Sequence, residues 1–291
     1  MSQVYFIDGP HDKNIYSQYG EDGVIERLIS DLSIDIEVLC EFGAWDGKHF
    51  SNTFALQKVG RSLIMIEGDP AKYLELLETQ KEYPSIHAIN CFVEPMGKNS
   101  LDSILSRGGI ASLDLLSIDI DGYDLQIAKN LHLNPKILVV EFNPTFGVFK
   151  KYESKIGESS GNSFKSICDA MIKKGYFFVA FTKTNLFFVK KEIILSAGFD
   201  GYDINSFDRL KDIDDAIYQI SSAYNGRAIE FGSPKNPWDG CRLANVYKHP
   251  SWVYGWEPTY IQIMYRAVRT LSPVEIIRGI KKAHSKGWFR F

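Results

Sequence analysis

The sequence predicts an α/β protein: a seven-stranded, mostly parallel sheet that ends in an antiparallel hairpin strand, followed by a smaller, mainly helical C-terminal appendage. Three observations carry that expectation. Apolar runs of strand length alternate with segments of helical spacing from Val24 to Asn143. A glycine-bearing stretch, Glu41-Phe42-Gly43-Ala44-Trp45-Asp46-Gly47, interrupts this alternation directly after an apolar run. Two late apolar runs are joined by Lys183-Thr184 alone, a gap that forces a hairpin, so one strand must oppose the rest.

Val24 to Leu32 carries apolar residues at helical spacing and predicts a helix ahead of the first sheet strand, Glu37 to Phe42. After the glycine loop, Ser51 or Asn52 is placed to cap a helix through Leu56 to Val59, which Gly60 ends. Arg61 to Glu67 is apolar on both faces, as parallel strands are, and its acid falls at the end. Pro70 to Gln80 predicts a helix, Ile86 to Val93 a third strand and Leu101 to Leu105 a short helix. Leu113 to Asp121 is a fourth strand, Tyr123 to Asn130 a helix, and Lys136 to Asn143 a fifth strand stopped by Pro144. Such alternation implies a parallel sheet with right-handed crossovers. The amphipathic stretch Ser163 to Lys174 precedes the hairpin of Gly175–Thr182 and Asn185–Lys190.

The alternation stops near Ser196, which divides the chain into a ligand-binding domain over 1–195 and an appendage over 196–291 suited to substrate binding or oligomerisation. Trp238, Trp252 and Trp256 mark an irregular region there, and Tyr260 to Arg269 and Val274 to His284 predict helices. From Arg266 to Phe291 seven basic residues oppose Glu275 among Ile276, Ile277, Ile280, Trp288 and Phe289. That pattern fits peripheral contact with a membrane or a phosphate group, or a solvated helix face packed on the domain.

With 291 residues, 45% hydrophobic and 24% charged, the chain is a folded globular protein rather than a disordered one. A net charge of -3 provides no field for nucleic acid, which is not expected as a partner. Met1 to Asn14 lacks the apolar core of a secretory signal, and no apolar run approaches the ~18 residues of a membrane span. Cys40, Cys91, Cys168 and Cys241 form no Cys-x-x-Cys pair. A cytoplasmic protein with free thiols is the expectation.

Five segments together resemble S-adenosylmethionine-dependent class I methyltransferases, most closely the FkbM-like branch and related sugar O-methyltransferases: Ser17-Gln18-Tyr19-Gly20-Glu21-Asp22, Glu41 to Gly47, Ile66-Glu67-Gly68-Asp69-Pro70, Leu116 to Tyr123, and Val140-Glu141-Phe142-Asn143-Pro144. The resemblance covers roughly residues 15 to 190. It implies a Rossmann-like sheet, S-adenosylmethionine as cofactor, and methylation of a hydroxyl on a sugar or glycan. Trp45 departs from it, standing where the family's acid-x-Gly-x-Gly-x-Gly loop commonly has its middle glycine.

By that resemblance Glu67, about 20 residues past the loop, would accept the ribose hydroxyls of the cofactor. Glu41 would hold the cofactor's ammonium or a neighbouring backbone amide, and Gly43, Ala44 and Gly47 the backbone surface beneath it. Cys91 and Phe92 would flank the adenine, and Gln18 would close over the methionine end. Asp119 and Asp121 lie two apart at a strand end, so their side chains share a face, and Glu141 and Asn143 repeat the arrangement next door. Asp119, Glu141 and Asn143 could hold a hard cation such as Mg²⁺, which would lower the pKa of a bound hydroxyl. Without a metal, Asp119, which also borders the cofactor, or Asp121 would serve as general base, and loop capping is a third reading. His49 is a second candidate base or a turn-capping residue. A dinucleotide-dependent oxidoreductase and a non-catalytic binding module remain alternatives, the first weakened by the missing Gly-x-Gly-x-x-Gly.

Overall fold

The alternating apolar runs become the strands of one sheet. In the computed structural model, residues 3–7, 13–57, 60–120, 122–144, 146, 148, 150–156, 158, 160–202, 219–222 and 228–231 are described. The elements are β1 (Gln3–Tyr5), α1 (Glu21–Asp31), β2 (Val38–Phe42), β3 (Ser62–Glu67), α2 (Pro70–Glu82), β4 (Ile86–Asn90), α3 (Leu101–Arg107), β5 (Leu115–Ile118), α4 (Asp124–Asn130), β6 (Ile137–Glu141), α5 (Phe164–Lys173), β7 (Tyr176–Phe181), β8 (Asn185–Lys190), α6 (Lys191–Ser196) and β9 (Phe199–Gly201). Beyond them β10 (Gln219–Ser222) pairs antiparallel with β11 (Ala228–Phe231).

The main sheet has seven strands in the order β4-β3-β2-β5-β6-β8-β7. β2 through β6 run parallel, and β8 opposes both β6 and β7. The two-residue gap at Lys183-Thr184 thus does what its length requires. β2, β3, β5 and β6 are buried on both faces, whereas the edge strand β4 exposes His87 and Asn90. Cys40, Phe42, Ile64, Ile66, Leu116, Ile118 and Val140 feed one core layer. Leu39, Leu63, Met65, Leu115, Ile137 and Val139 feed the other. Strand order reverses between β2 and β5, and the crevice beyond their carboxyl ends is where an open sheet collects its ligand.

Helix starts follow their caps. Asp69 accepts from the Ala71 amide at 2.7 Å ahead of Pro70 and starts α2. Ser163 accepts from the Ser166 amide at 3.3 Å and starts α5. The helix expected through Leu56 to Val59 is instead a single 3₁₀ turn, Phe54–Leu56, and Gln57 is already extended. Its would-be capping residues are drawn onto Glu41 instead.

The chain divides into two compact units, Met1–Ile217 and Tyr218–Phe291. β9 pairs with β1, so ordered structure of the first unit continues past residue 195. In the second unit the described residues form the β10–β11 pair. Trp238, Trp252, Trp256, the two C-terminal helices and the basic stretch from Arg266 lie outside the described residues, as do Cys241 and Asp121. Among the described residues no helix is long and apolar enough to cross a membrane.

Candidate functional site

The glycine loop leaves β2 at the switch point. Gly43 has φ 79°, and a Cβ there would come within 1.8 Å of the Asp119 carbonyl oxygen, so the two chain crossings touch and only glycine fits. The Gly43 and Ala44 amides both donate to the Ile66 carbonyl, at 3.1 and 3.2 Å. Gly47, also at φ 79°, lies against Leu76 and Met65. Trp45 has a left-handed backbone, at φ 47°. Its ring goes to α2: the indole Nε1 donates to Glu75 at 3.1 Å, and the Lys72 ammonium sits 5.4 Å from the ring centre.

Glu67 ends β3 beside this loop, buried but incompletely engaged. One carboxylate oxygen accepts the Trp45 amide at 2.8 Å and the other accepts the Asp69 amide at 2.7 Å. Each oxygen keeps a second lone pair, so the group is fixed in orientation and can still accept a hydroxyl. Cys91 and Phe92, expected within a strand, fall just past the end of β4, where the Cys91 amide donates to the Glu67 carbonyl at 3.1 Å. Phe92 is 66% exposed, although large and apolar. Its ring lies against Gly68, where a Cβ would meet it at 2.5 Å. Partial burial raises the Cys91 thiol, which keeps it protonated.

Glu41 lies beneath the loop, 4% exposed. It accepts from Ser51 Oγ at 2.6 Å, from the Asn52 amide at 3.0 Å, from the Thr53 amide at 3.2 Å and from Thr53 Oγ1. Burial pushes its carboxyl up, against the pull of the Ser51 and Thr53 hydroxyls and the two amides. Its bonds therefore go to neighbouring backbone amides and hydroxyl groups. Asn52 carries the brace to β5 by donating to Ser117 Oγ at 3.1 Å.

His49 has a side chain 72% exposed, with Nδ1 2.6 Å from Asp46. Its amide also donates to Asp46 at 2.9 Å, which makes the pair a turn cap. Partial burial pushes the Asp46 carboxyl up, but the Lys48 and His49 amides and the His49 ring outweigh it and hold the group below the usual range.

At the carboxyl ends of β5 and β6 the strands stop sooner than their composition suggests. β5 ends at Ile118, so the period-two argument that put Asp119 and Asp121 on one face does not apply. Asp124, buried at the start of α4, takes the Ile120 amide at 2.8 Å and the Gly122 amide at 3.0 Å and bends the chain off the ladder. Asp119 sits half-buried at that bend, against Gly43. Asn143 is buried and turned to the following loop, its Nδ2 donating to the Ser160 carbonyl at 2.7 Å. Asn162 bridges that loop to the Gly122 carbonyl at 2.9 Å. Glu141 ends β6 in register with Asn185. Among the described residues no group of three or more His, Cys, Asp or Glu could hold a metal ion, and the Mg²⁺ reading of Asp119, Glu141 and Asn143 gains no support.

Gln18 rides on a strap ahead of α1. Asp22 accepts the Ile15, Tyr16 and Ser17 amides at 2.7, 2.8 and 3.1 Å. Glu21 accepts the Tyr19 amide at 2.7 Å, Asn185 Nδ2 at 3.3 Å and the Thr182 hydroxyl, which pins the strap to the hairpin turn beside the end of β6. Sequence reasoning gave no role to Glu21, Asp22, Asp124 or Asn162. The available signal was acids in the first turns of α1 and α4, a capping pattern.

No protein-family model matches the chain, and no curated protein matches it. Among solved structures it is similar to the CMeT domain of the citrinin polyketide synthase, with TM-score 0.41, 14% identity and cover of 59% of this chain and 51% of that one. It is also similar to an S-adenosylmethionine-dependent methyltransferase from Clostridium acetobutylicum, with TM-score 0.40, 9% identity and cover of 62% and 93%. A third is M. capricolum TrmK in complex with S-adenosyl-homocysteine, with TM-score 0.40, 13% identity and cover of 65% and 80%. The chain spans about half the length of the first of these. The strand order, with one strand opposed to its neighbours, is that of a Rossmann-like α/β sheet.

Proposed function

We propose that the protein is an S-adenosylmethionine-dependent methyltransferase that acts on a hydroxyl of a sugar or glycan-related substrate. The observation that carries this reading is Glu67, a buried carboxylate held by one amide on each oxygen beside the switch-point loop, with the exposed Phe92 ring next to it. Those groups fit an adenosyl cofactor. Glu67 would accept the ribose hydroxyls on its remaining lone pairs, Phe92 would stack on the adenine, and Gly43 and Ala44 would give the backbone surface. Gln18 on its pinned strap would face the methionine end. When bound, S-adenosylmethionine supplies an electrophilic methyl group for in-line displacement.

Asp119, at the junction of the β2 and β5 loops, would orient the acceptor hydroxyl and take its proton. Asp124 holds the Asp119 loop, and Asn162 anchors the next loop to Gly122. The sugar acceptor is supported by the resemblance of residues 17–22, 41–47, 66–70, 116–123 and 140–144 to the FkbM-like branch and related sugar O-methyltransferases.

The test is a thermal-shift titration with S-adenosylhomocysteine and with NAD, followed by transfer of labelled methyl to a panel of free sugars and glycans. Stabilisation by S-adenosylhomocysteine is expected. Stabilisation by NAD alone would overturn the cofactor assignment, and transfer only to non-carbohydrate acceptors would overturn the sugar assignment.

A further inference from the structure

Trp45 occupies a backbone conformation that a tryptophan adopts only under constraint. Its φ of 47° lies in the left-handed region, where a Cβ crowds the following carbonyl. Glycine would meet the same turn without strain, so a bulky residue retained there points to a function of its side chain. The side chain is held as well as the backbone. The indole Nε1 donates to Glu75 Oε2 at 3.1 Å, the Lys72 ammonium lies 5.4 Å from the ring, and the His49 and Phe50 rings stand 6.0 and 6.3 Å away. Glu75 and Lys72 lie one turn apart on α2. The Trp45 amide is meanwhile a donor to Glu67 at 2.8 Å.

We infer that Trp45 is a positioning residue that fixes the Glu67 carboxylate for an adenosyl ligand, by clamping the loop to α2 through its indole ring. The inference rests on the cofactor reading above and adds a device that the glycine motif lacks. A glycine at this position leaves the amide free to swing with the loop. The tryptophan ties that amide to a rigid helix, so the bond to Glu67 is made before ligand arrives, and binding loses less to ordering.

The experiment measures S-adenosylhomocysteine affinity by calorimetry for the wild type, Trp45→Gly, Glu67→Gln and the double variant, with a thermal melt of each. Trp45→Gly is expected to stay folded, since it relieves the strained φ, and to bind about tenfold more weakly, the worth of one charge-assisted hydrogen bond. In the Glu67→Gln background the same change is expected to alter affinity less than twofold, because the ring acts through that carboxylate. Unchanged affinity in Trp45→Gly, or an equal tenfold loss in both backgrounds, would overturn the inference. Glu75→Ala removes the clamp's anchor without touching the loop, and is expected to weaken binding about threefold. Should Trp45→Gly fail to fold, unchanged affinity in Glu75→Ala would overturn the inference by itself. A wild type that ignores S-adenosylhomocysteine would instead refute the cofactor reading.

Discussion

Replacing Glu41 with glutamine changes one oxygen of a buried carboxylate into an N–H donor. Three of the four bonds that Glu41 accepts fall on Oε2, from Ser51 Oγ, the Thr53 amide and Thr53 Oγ1, and the fourth, from the Asn52 amide, falls on Oε1. If the new amide keeps its oxygen toward Asn52, its nitrogen faces the Thr53 N–H, and two buried donors confront each other. The Ser51 and Thr53 hydroxyls can rotate to accept, but the Thr53 amide cannot. The Thr53 amide is left with only its bond to Ser51 Oγ at 3.2 Å, and losing a buried acceptor costs about 1–3 kcal/mol, so Glu41→Gln should destabilise the protein by about that much at neutral pH.

The loss should also depend on pH. Burial raises the Glu41 carboxyl above its ordinary value of 4.5, so the folded protein holds its proton where the unfolded chain has released it. The wild type therefore loses stability as pH rises from about 4.5 through the raised value, and the glutamine variant lacks that loss. Urea unfolding of both proteins between pH 5 and pH 8 should show the gap narrowing as pH increases. A gap that widens with pH would mean that the four donors outweigh burial, and the reasoning would fail.

Gly43→Ala should destabilise by about 3 kcal/mol, from the left-handed φ and the displaced Asp119 carbonyl; an unchanged urea midpoint would refute the contact. Phe92→Ala should leave the unfolding midpoint within about 0.5 kcal/mol, because the ring is exposed. It should nonetheless weaken S-adenosylhomocysteine binding by about 1 kcal/mol or more if the ring stacks on adenine, as calorimetry would read. Asp119→Asn should reduce methyl transfer by roughly 10²-fold or more while changing cofactor affinity less than about threefold; a parallel loss of affinity would assign Asp119 to binding.

The central strands β3, β5 and β6 were legible because they are buried on both faces and therefore largely apolar, and α2 because Asp69-Pro70 is a cap followed by a residue that tolerates the first turn. What periodicity could not show were contacts made from a distance. Ser51, Asn52 and Thr53 read as a helix start, yet a carboxylate ten residues earlier collects them and leaves one 3₁₀ turn. Asp119 read as part of a strand because its neighbours alternate, yet Asp124 takes the next amides and ends the ladder at Ile118. Trp45 read only as a departure from the family's glycine loop. Its left-handed φ, which no pattern of residue types reveals, carries the ring to α2.

The acids at the carboxyl edge separate by what they hold, and that separation assigns each a different observable. Glu41, Asp22 and Asp124 accept amides and hydroxyls of their own neighbourhood, so removing any of them unmakes local backbone geometry and should register first in unfolding. Glu67 also holds amides, but it stands at the sheet edge beside an exposed aromatic ring, and its substitution should register first in ligand affinity. Asp119 lies where two loops cross and reaches the site through its position against Gly43, so its substitution should register in turnover. If Glu67→Gln and Asp124→Asn proved equally destabilising and equally poor in ligand affinity, the edge would be a single polar scaffold and the division of labour argued from its hydrogen bonds would be wrong.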